Sequence, residues 1–534
     1  MDFTQMRKYE RPGRYWGREI LSNRPSGPPQ LRIVLLYPDL YDLGASYYGF
    51  QILYHLINRI PGVWCERAFI PWKDWQSSLA VGKGGKGSLR SQETKTPLKS
   101  FQVIGITLQT ELHYPGIYRS LILSGIPPMA EDRGPDDPIV LGGGPCAFHP
   151  EPIAPLFDFF IIGDGEEAVR EFLEALKQIR QPYPERVKLW KELCHISGVY
   201  TPNLYRPFDK SWGGVEPLYP EAPLRIHSRR VKELKSEFYP HSPVIPAIRT
   251  EHDRLTVEIM RGCTQGCRFC QSGMINRPVR ERSVEEIVDH IKEAIRLTGY
   301  SEVGLLSLST SDYSHIVPLL YALDELLSPM GVKIAFPSLR PGSFTSEVAQ
   351  LLNTQGKGTI TFAVESGSER LRKAINKHIQ DEELFSALQT ARSFGWKGVK
   401  LYFMIGLPTE DLRDLEMTIT LISSIERLIR VGKPMNFHIS LATFIPKPFT
   451  VFEDEPFIGV DEAIKRYRFI ANRKEFARIK FSFHNPYQSL VETLLARGDR
   501  HMVKVIEDVA LNGYGLEAWS GEFCWEKWYS ALKR

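Results

Sequence analysis

The distribution of apolar positions along the first third of the chain predicts a buried parallel sheet. Residues 31–37 read LRIVLLY, a short apolar run that ends at a proline. Strands that are covered on both faces have this pattern, because neither face meets water. Similar runs at residues 64–70, 103–108, 139–141 and 159–162 alternate with helical patterns at 49–58, 114–123 and 166–178. This alternation favours a doubly wound sheet with right-handed crossovers, which we place at residues 31–180.

A second alternating series occupies residues 251–450. Apolar runs that predict strands lie at residues 255–260, 303–309, 333–337, 359–365, 398–405 and 436–443. Helical patterns separate them at residues 284–297, 316–327, 345–353, 383–394 and 414–430. Six such units match a partial (β/α)6 barrel, in which a ligand lies at the carboxyl ends of the strands.

The remaining segments lack this alternation. Residues 1–30 are rich in Arg, Pro and Gly and are predicted to be an extended lead-in, and the Gly/Lys-rich residues 83–91 a mobile loop. The proline-rich residues 181–250 are predicted to be a connector, with a hairpin around residues 213–214. Residues 451–534 are predicted to form a small, mostly helical C-terminal domain. The predicted fold class is therefore α/β, with two different sheets.

Composition fits a large soluble enzyme. With 534 residues, of which 43% are hydrophobic and 24% charged, the chain can bury several cores. A net charge of +4 says little about partners at this size. No apolar run approaches the ~18 residues that cross a bilayer, and the first residues lack the apolar core of a secretory signal. Seven cysteines, mostly scattered, suit a reducing compartment. We therefore expect a cytoplasmic protein without membrane association.

The most informative chemistry is a compact cysteine loop. Three cysteines follow the first predicted barrel strand in the spacing CxxxCxxC: Cys263, Cys267 and Cys270. An aromatic residue, Phe269, precedes the third. Three thiolates can hold a 4Fe-4S cluster and leave one iron without a protein ligand, which makes that iron reactive. A structural zinc site is the alternative, but closed zinc sites need four ligands and the sequence offers no second cysteine pair.

This spacing resembles the signature of the radical SAM enzymes, in which S-adenosylmethionine chelates the open iron. From about residue 31 to the end, the chain resembles an uncharacterised family of radical SAM proteins with a cobalamin-binding domain. The supporting stretches are residues 38–44 (PDLYDLG), 338–341 (SLRP), 364–369 (VESGSE), 375–377 (INK) and 444–448 (FIPKP). The resemblance implies reductive cleavage of S-adenosylmethionine to methionine and a 5′-deoxyadenosyl radical. It also implies an external one-electron donor of the flavodoxin or ferredoxin type.

The resemblance also implies residues that hold the S-adenosylmethionine. The candidates at predicted strand ends are Ser309, Ser311, Asp312, Arg340, Glu365 and Lys400. The polar residues 309–312 would accept the amino group, where relatives often carry Gly-Gly-Glu. Arg340 and Lys400 are candidates for the carboxylate, and Glu365 for the ribose hydroxyls. Residues 400–410 resemble the fifth-strand segment whose backbone supports adenine. For each single residue, a loop salt bridge or a helix N-cap is the alternative.

The N-terminal sheet resembles the Rossmann-like, cobalamin-binding-type domain that often precedes a radical SAM barrel. Its candidate markers are Gly142, Gly143, Gly144, Gly163 and Gly165. Glycines at strand ends allow a corrin tail or a nucleotide to approach the backbone closely. A simple tight turn is the alternative explanation for the glycine triplet.

One departure from the cobalamin pattern concerns the lower cobalt ligand. Domains that supply it carry an Asp-x-His-x-x-Gly run, whereas this chain has Asp39, Tyr41 and Gly44 at the corresponding positions. Either the corrin binds without a lower protein ligand, or the domain has lost its cofactor. We favour bound cobalamin and methyl transfer to an unknown substrate. A cobalamin-free radical enzyme, which performs hydrogen abstraction, rearrangement or sulfur insertion, is the alternative.

Two further features bear on the substrate. The last three supporting stretches also resemble the barrels of methylthiotransferases that modify tRNA or a ribosomal protein. Those enzymes hold a second cluster on three N-terminal cysteines, whereas the first domain here has only Cys65 and Cys146. Residues 465–480 load one predicted helix with Lys and Arg. Such a face suits phosphate contacts, so RNA is a candidate partner, although a solvated helix exterior explains the same pattern.

Overall fold

The computed structural model of the chain describes residues 6–24, 27–79, 88–179, 183, 185–207, 214–336, 339–353, 358–431 and 435–534. The chain divides into two compact units, residues 1–253 with 494–534, and residues 254–493. The predicted five segments do not coincide with these units, because the predicted connector and the last forty residues belong to the first unit. Among the described residues, none of the helices has the length and apolar character that a membrane span requires.

The first unit contains a six-stranded sheet in the order β2-β1-β3-β4-β5-β6. Its strands are β1 (Leu31–Tyr37), β2 (Val63–Phe69), β3 (Val103–Thr107), β4 (Ile139–Gly143), β5 (Phe159–Ile161) and β6 (Val199–Tyr200). Neighbours pair in parallel except for β6, which runs antiparallel to β5. The first helices are α1 (Tyr41–Gly44), α2 (Tyr48–Ile57), α3 (Lys73–Ser78), α4 (Tyr114–Leu123), α5 (Gly165–Gln178) and α6 (Arg186–Leu193). This confirms the predicted doubly wound sheet.

The predicted connector contains more structure than its proline content suggested. Both α6 and β6 lie in it, and Val199 and Tyr200 are buried against β5. Two short strands, β7 (Tyr205–Pro207) and β8 (Val215–Pro217), pair antiparallel where a hairpin was predicted. The turn of that hairpin lies outside the described residues, as does most of the predicted loop at 83–91.

The second unit contains nine strands and nine helices among its described residues, counting a helix that continues into the first unit. The strands are β9 (Leu255–Glu258), β10 (Met260–Arg261), β11 (Arg280–Glu281), β12 (Glu302–Leu306), β13 (Lys333–Ala335), β14 (Thr359–Glu365), β15 (Gly398–Ile405), β16 (Asn436–Thr443) and β17 (Lys480–Phe483). The helices are α7 (Gln271–Ile275), α8 (Val284–Thr298), α9 (Ile316–Leu327), α10 (Ser346–Asn353), α11 (Glu369–Ala374), α12 (Asp381–Ser393), α13 (Leu412–Arg430), α14 (Val460–Ala471) and α15 (Pro486–Arg497). Two further helices, α16 (Met502–Leu511) and α17 (Trp525–Leu532), belong to the first unit.

The parallel strands of the second unit form two connected sheets. One has the order β13-β12-β9 and the other β14-β15-β16-β17, and all their pairs are parallel. An isolated parallel bridge between Leu339 and Phe362 connects the segment after β13 to β14. The six predicted strands are all present. Strand β17 adds a seventh in a segment that we predicted to be mostly helical, because pairing with β16 satisfies its backbone.

The basic stretch at residues 465–480 is not one helix. Helix α14 ends at Ala471, and the last residue of the stretch, Lys480, begins β17. Arg466 forms ion pairs with Glu410 and Glu462. The predicted continuous cationic face is therefore divided between a helix, a loop and a strand.

Helix α8 shows how local sequence and packing agree in the second unit. Ser283 caps its first turn, since its side chain accepts from the backbone N of Glu286 while the Glu286 carboxylate accepts from the backbone N of Ser283. Gly299 ends the helix in the left-handed conformation, with φ of 68°. The buried positions Ile287 and Ile291 are one helical repeat apart. The helix thus presents one apolar stripe to the core.

Candidate functional site

The three predicted cluster ligands lie in the loop between β10 and α7. Their thiols are free and partly exposed. The Sγ of Cys270 accepts a hydrogen bond from the backbone N of Gly273 at 3.3 Å. Gly266 turns the loop with φ of 68°, and a Cβ there would lie 3.0 Å from the guanidinium of Arg277. The loop therefore holds its thiols in a tight turn at the carboxyl end of the first strand of the unit.

The three thiols lie close enough to influence one another's pKa. Burial raises the pKa of Cys267 to about 11, and the other two thiols contribute to that rise. Burial also raises the pKa of Cys270, to which Cys263 contributes. In the part of the chain that the structure describes, no three His, Cys, Asp or Glu side chains converge on one metal ion. A 4Fe-4S cluster does not require its ligands to converge on one metal ion, because each thiolate binds a different iron. Three neighbouring thiols with partial exposure fit that cluster.

Phe269 anchors the cysteine loop in the second unit. Its ring packs against a small apolar cluster that consists of Leu371, Ile375, Leu407, Phe444 and Phe452. The backbone N of Arg268 donates to the carbonyl of Ile375 at 3.0 Å. The aromatic residue of the motif therefore has a packing role beside the thiols.

Asn376 fastens the other side of the loop. It adopts a left-handed conformation with φ of 58°, which asparagine tolerates better than most residues. Its Nδ2 donates to the carbonyls of Gln265 at 3.0 Å and Gly266 at 2.9 Å. Two backbone carbonyls of the cysteine loop thus depend on one side-chain amide.

We expect Asn376→Asp to weaken cluster retention about tenfold, the lower end of the effect of residues that orient metal ligands. Aspartate keeps the shape and tolerates the backbone conformation, but it has no N–H to donate and places a negative charge against two carbonyls. Iron release to a chelator under anaerobic conditions measures the effect. Asn436→Asp, an exposed change at the amino end of β16, is the control. Equal iron release from both variants would contradict the role of Asn376.

Glu365 ends β14 at this edge and has an unusual backbone. It is buried, with 9% exposure and a positive φ of 69°, and the register of β14 with β15 shifts just before it. Non-glycine residues in this region carry strain of about 1–3 kcal/mol, and such residues cluster at functional sites. Lys377 Nζ lies 3.3 Å from Glu365 Oε1. The strand end is thus bent so that a carboxylate and an ammonium meet.

The fold places the charges of Lys377 and Glu365 near the thiols of the cysteine loop. Both influence the pKa of Cys267 and of Cys270: Lys377 lowers it and Glu365 raises it, each less than burial does. We predicted Glu365 as a site residue but not Lys377 or Asn376. Residues 375–377 contributed only to the family resemblance, because an Asn-Lys pair after a helix has no distinctive chemistry until the fold places it beside the cysteine loop.

The polar residues after β12 also join this site. Asp312 Oδ2 accepts from Gln265 Nε2 of the cysteine loop and from Ser309 Oγ, both at 2.7 Å. The backbone N of Arg340 donates to Ser311 Oγ at 3.2 Å, and its Nη1 lies 3.8 Å from Asp312 Oδ1. Four of the predicted residues therefore form two hydrogen-bonded pairs that an ion pair connects, and Asp312 contacts the cysteine loop.

Lys400 is the exception among the candidate residues of the second unit. It pairs in register with Thr361 and His438, and Thr361 precedes Glu365 by four residues, or about 13 Å along β14. Its Nζ lies 4.6 Å from the centre of the Tyr402 ring. Lys400 is therefore well before the strand ends at which the other candidates gather.

In the first unit, Tyr41 lies in a buried network. It is 1% exposed, and its hydroxyl donates to Glu19 Oε1 and accepts from the backbone N of Ala247, each at 2.7 Å. Glu19 also pairs with the buried Arg67 at 2.5 Å. Burial raises the pKa of Tyr41 far above its ordinary range. The side chain at the position of the cobalt ligand is thus committed to contacts within the protein.

Asp39 is similarly engaged. Its Oδ2 lies 3.1 Å from His113 Nε2, and its Oδ1 accepts from Trp519 Nε1 at 2.7 Å. Trp519 is far away in sequence, in the C-terminal segment of the same unit. Both carboxylate oxygens are therefore occupied by the chain itself.

Two of the candidate glycines pack against aromatic rings. A Cβ on Gly142 would lie 2.6 Å from the ring of Phe160, its partner on β5. A Cβ on Gly44 would lie 2.6 Å from the ring of Tyr37. The space beside these glycines is filled by the protein.

Other candidate glycines allow close backbone approach. A Cβ on Gly144 would lie 2.8 Å from the carbonyl oxygen of Leu108, and one on Gly163 would lie 2.1 Å from that of Arg229. Gly165 begins α5. A Cβ on Gly143 would make an ordinary contact with the carbonyl oxygen of Ile161, 3.8 Å away. The glycines of this sheet thus have packing roles, and a cobalamin site does not follow from them.

Comparison with known proteins supports the predicted family. The family model "Radical SAM proteins, N-terminal" matches residues 49–202, and the model "Radical SAM superfamily" matches residues 257–422. An uncharacterized protein of Methanocaldococcus jannaschii is 31% identical over 415 residues, which cover 77% of this chain and 81% of that protein. The tRNA-2-methylthio-N(6)-dimethylallyladenosine synthase of Thermotoga petrophila is 26% identical over 240 residues, which cover 43% of this chain and 52% of the synthase.

Two solved structures share the fold at low identity. The radical S-adenosylmethionine methyltransferase TsrM of Kitasatospora setae, solved with cobalamin and a 4Fe-4S cluster, is 13% identical, with a TM-score of 0.50. The match covers 79% of this chain and 76% of TsrM. OxsB, a cobalamin-dependent S-adenosylmethionine radical enzyme, is 15% identical, also with a TM-score of 0.50, over 84% of this chain and 58% of OxsB. Together with the cysteine loop, these findings show that the chain belongs to the radical SAM superfamily, whose cofactors are a 4Fe-4S cluster and S-adenosylmethionine.

Proposed function

We propose that this protein cleaves S-adenosylmethionine reductively at a 4Fe-4S cluster held by Cys263, Cys267 and Cys270. The observation that carries the proposal is the gathering of three thiols, Glu365 and Lys377 into one electrostatic site. A cluster held by these three thiolates would supply one electron for reduction of the sulfonium, so that a carbon–sulfur bond would break to give methionine and a 5′-deoxyadenosyl radical. An external donor of the flavodoxin or ferredoxin type supplies the electron.

The chain's own residues have separable tasks in this proposal. Ser309 and Asp312 would accept hydrogen bonds from the amino group of S-adenosylmethionine, and Arg340 would bind its carboxylate. Asp312 is already held by Gln265 of the cysteine loop, so its orientation depends on the loop. Glu365 would accept hydrogen bonds from the ribose hydroxyls. The strained backbone of Glu365 supports this role, because strain at a strand end is retained where a side chain must point in one direction.

Lys377 adjusts the charge of the site. Its ammonium lowers the pKa of Cys267 and of Cys270 and so favours their thiolate forms, which are the metal ligands. The same ammonium pairs with Glu365, which balances that carboxylate next to three thiolates. Positive charge at this point stabilises a ligand set that would otherwise repel itself.

The face of β15 and β16 that points away from the core helices would receive the substrate. On β15 the buried Leu401 and Phe403 alternate with Lys400 and Tyr402, which are partly or largely exposed. His438 on β16 is beside Lys400, and burial, followed by the charges of Lys400 and Lys480, lowers its pKa. We therefore assign Lys400 to this cationic, polar surface, where it would contact the substrate, rather than to the binding of S-adenosylmethionine.

Methyl transfer through cobalamin is the second candidate, and the likeness of the fold to TsrM and OxsB favours it. Position 41 offers no cobalt ligand, since the tyrosine is bound to Glu19. A corrin would therefore bind without a lower ligand from that position. The packing of Gly142 against Phe160 leaves no space there for a corrin tail. We derive no reaction step from this cofactor.

Anaerobic reconstitution tests both candidates. With a strong reductant, the protein should convert S-adenosylmethionine into 5′-deoxyadenosine and methionine in equal amounts. Iron, sulfide and corrin analyses are made on the same sample. A bound corrin and a methylated product would support the second candidate, whereas iron and sulfide alone would support a cobalamin-free radical enzyme. A folded protein that never retains iron and never cleaves S-adenosylmethionine would refute the proposal.

A further inference from the structure

The first unit contains a cavity of about 380 Å³ that the proposed reaction does not use. It lies beside the carboxyl end of β2, where Phe69 forms part of its wall. The N-terminal segment contributes Arg14 and Tyr15, and the segment before β3 contributes Arg90 and Lys95. Ligands of open α/β sheets usually bind where the strand order reverses, here between β1 and β3, whereas this cavity lies beside the edge strand β2. The volume falls within the ordinary range for small-molecule sites.

The cavity has a buried cation with a free donor. The side chain of Arg14 is 7% exposed, and its Nε and Nη2 bind Asp42 at 2.5 and 3.2 Å. Its Nη1 is buried and has no hydrogen-bond partner within the part of the chain that the structure describes. A buried donor without a partner costs about 1–3 kcal/mol, so an acceptor from a ligand would stabilise the protein. This atom is the first sign that something binds here.

Lys95 provides a second cation without a carboxylate of its own. Among the described residues, its Nζ donates to the amide oxygen of Gln92, at 3.3 Å, and forms no ion pair. The acids behind it, Glu19 and Glu93, share one cation, Arg67, at 2.5 and 2.7 Å, so this group of three keeps one negative charge. Among the described residues that line the cavity there is no aspartate or glutamate. The lining is thus positive overall, and an anion would balance it.

The remaining wall is aromatic. The rings of Tyr15 and Trp75 meet edge to face with centroids 3.9 Å apart, and those of Tyr41 and Phe69 do so at 5.1 Å. The hydroxyl of Tyr15 accepts from the backbone N of Trp72, and the hydroxyl of Tyr41 is engaged as described above. Tyr15 and Tyr41 therefore present mainly the surface of their rings to the cavity, because their hydroxyls already form hydrogen bonds within the protein. Aromatic surface favours a flat, apolar partner.

We propose that this cavity binds a small organic anion with a planar body. Its carboxylate or phosphate group contacts Arg14 and Lys95, and its ring lies against Tyr15 and Trp75. The site belongs to the first unit and does not depend on the proposed reaction.

The binding should weaken with rising pH. Burial lowers the pKa of Lys95 to about 8, while Glu93, Glu19 and Glu66 raise it and Arg67 lowers it further. Lys95 is charged below that pKa and neutral above it, and the arginines stay charged throughout. If only the charged form binds, affinity falls roughly tenfold between pH 7 and pH 9, because the charged fraction falls by that factor.

Calorimetric titration of the full chain with phenyl phosphate and with phenylacetate tests the proposal, with neutral phenylacetamide as the comparison probe. We expect one or both anions to bind at least tenfold more tightly than the amide. The stronger anion identifies phosphate or carboxylate as the preferred group. Lys95→Met should weaken anion binding at least tenfold and abolish the pH dependence. Trp75→Leu should weaken both anions and leave the pH dependence in place.

Lys99→Met is the matched control, since Lys99 is a half-exposed lysine four residues away that pairs with Asp137 at 3.4 Å. Circular dichroism and thermal melting confirm that each variant is folded. Equal binding of the amide and the anions would overturn the proposal. So would unchanged anion binding by folded Lys95→Met, or no binding of either anion to the folded wild-type chain.

Discussion

Replacing any one of Cys263, Cys267 and Cys270 by alanine should reduce the formation of 5′-deoxyadenosine at least about a thousandfold, or about 4 kcal/mol of barrier. In the proposed site each thiolate would hold a different iron, so the loss of one ligand would leave a cluster that disassembles rather than one that binds more weakly. The measurement is 5′-deoxyadenosine formed under reductant, together with iron and sulfide bound per chain.

Cys524→Ala is the control for this series. Its thiol is partly exposed, like those of the loop, but lies in the C-terminal segment of the first unit and contacts Glu526 at 3.2 Å. It should retain wild-type iron and activity. A folded loop variant with full iron and full activity would remove the basis of the proposed function.

Glu365→Gln should lower the rate of S-adenosylmethionine cleavage about a hundredfold, or about 2.7 kcal/mol. The amide keeps the size of the side chain but has one acceptor oxygen fewer. It also lacks the negative charge that pairs with Lys377, 3.3 Å away. Because Glu365 is proposed to contact S-adenosylmethionine, much of the effect should appear as a higher KM for that cofactor. Glu369→Gln is an exposed change four residues later, at the first residue of α11, where the carboxylate pairs with Lys373. It should have normal kinetics.

A glycine at position 365 separates function from stability. Glu365→Gly relieves left-handed backbone strain of about 1–2 kcal/mol, which stabilises the folded state. It also raises the conformational entropy that is lost on folding and removes the ion pair with Lys377, and both effects destabilise the folded state. We expect its free energy of unfolding to stay within about 1 kcal/mol of the wild type, while activity falls as in Glu365→Gln. A large loss of stability would show that Glu365 is a structural residue.

The two sets of variants probe different parts of one site. Lys377 connects them, because it pairs with Glu365 and also favours the thiolate forms of Cys267 and Cys270. In Glu365→Gln the Lys377 ammonium no longer pairs with a carboxylate but still favours the thiolate forms. Cluster retention should therefore persist in this variant while cleavage of S-adenosylmethionine fails. Retained iron with lost cleavage would therefore distinguish the cofactor-binding role from a role in cluster assembly.

Much of the fold follows from local sequence. Apolar runs of strand length, separated by helical periods, predicted all of the parallel strands in both units except β17. The alternation of buried and open positions on β15 is not visible in the sequence, because residues 401–405 read LYFMI and are all apolar or aromatic. The cysteine loop needed no structure, because its three ligands lie within eight residues and their spacing is local.

What the sequence could not show depends on contacts between distant residues. The short β6 and β17 have too few residues to display a period, and they became strands only because an existing sheet edge satisfied their backbones. Tyr41 was predicted at a cofactor site, but its hydroxyl meets Ala247, more than two hundred residues away.

The sequence by itself determined the cofactor chemistry of this protein, since three thiols in one short loop suffice to indicate a cluster. Only the tertiary structure decided which polar residues accompany them. Lys400 and Glu365 lie on neighbouring parallel strands, yet the register places Lys400 about 13 Å before Glu365. The ammonium that pairs with Glu365 is instead that of Lys377, which follows α11. The physical reason is that periodicity specifies the face on which a side chain lies, whereas strand register and crossover length specify its depth.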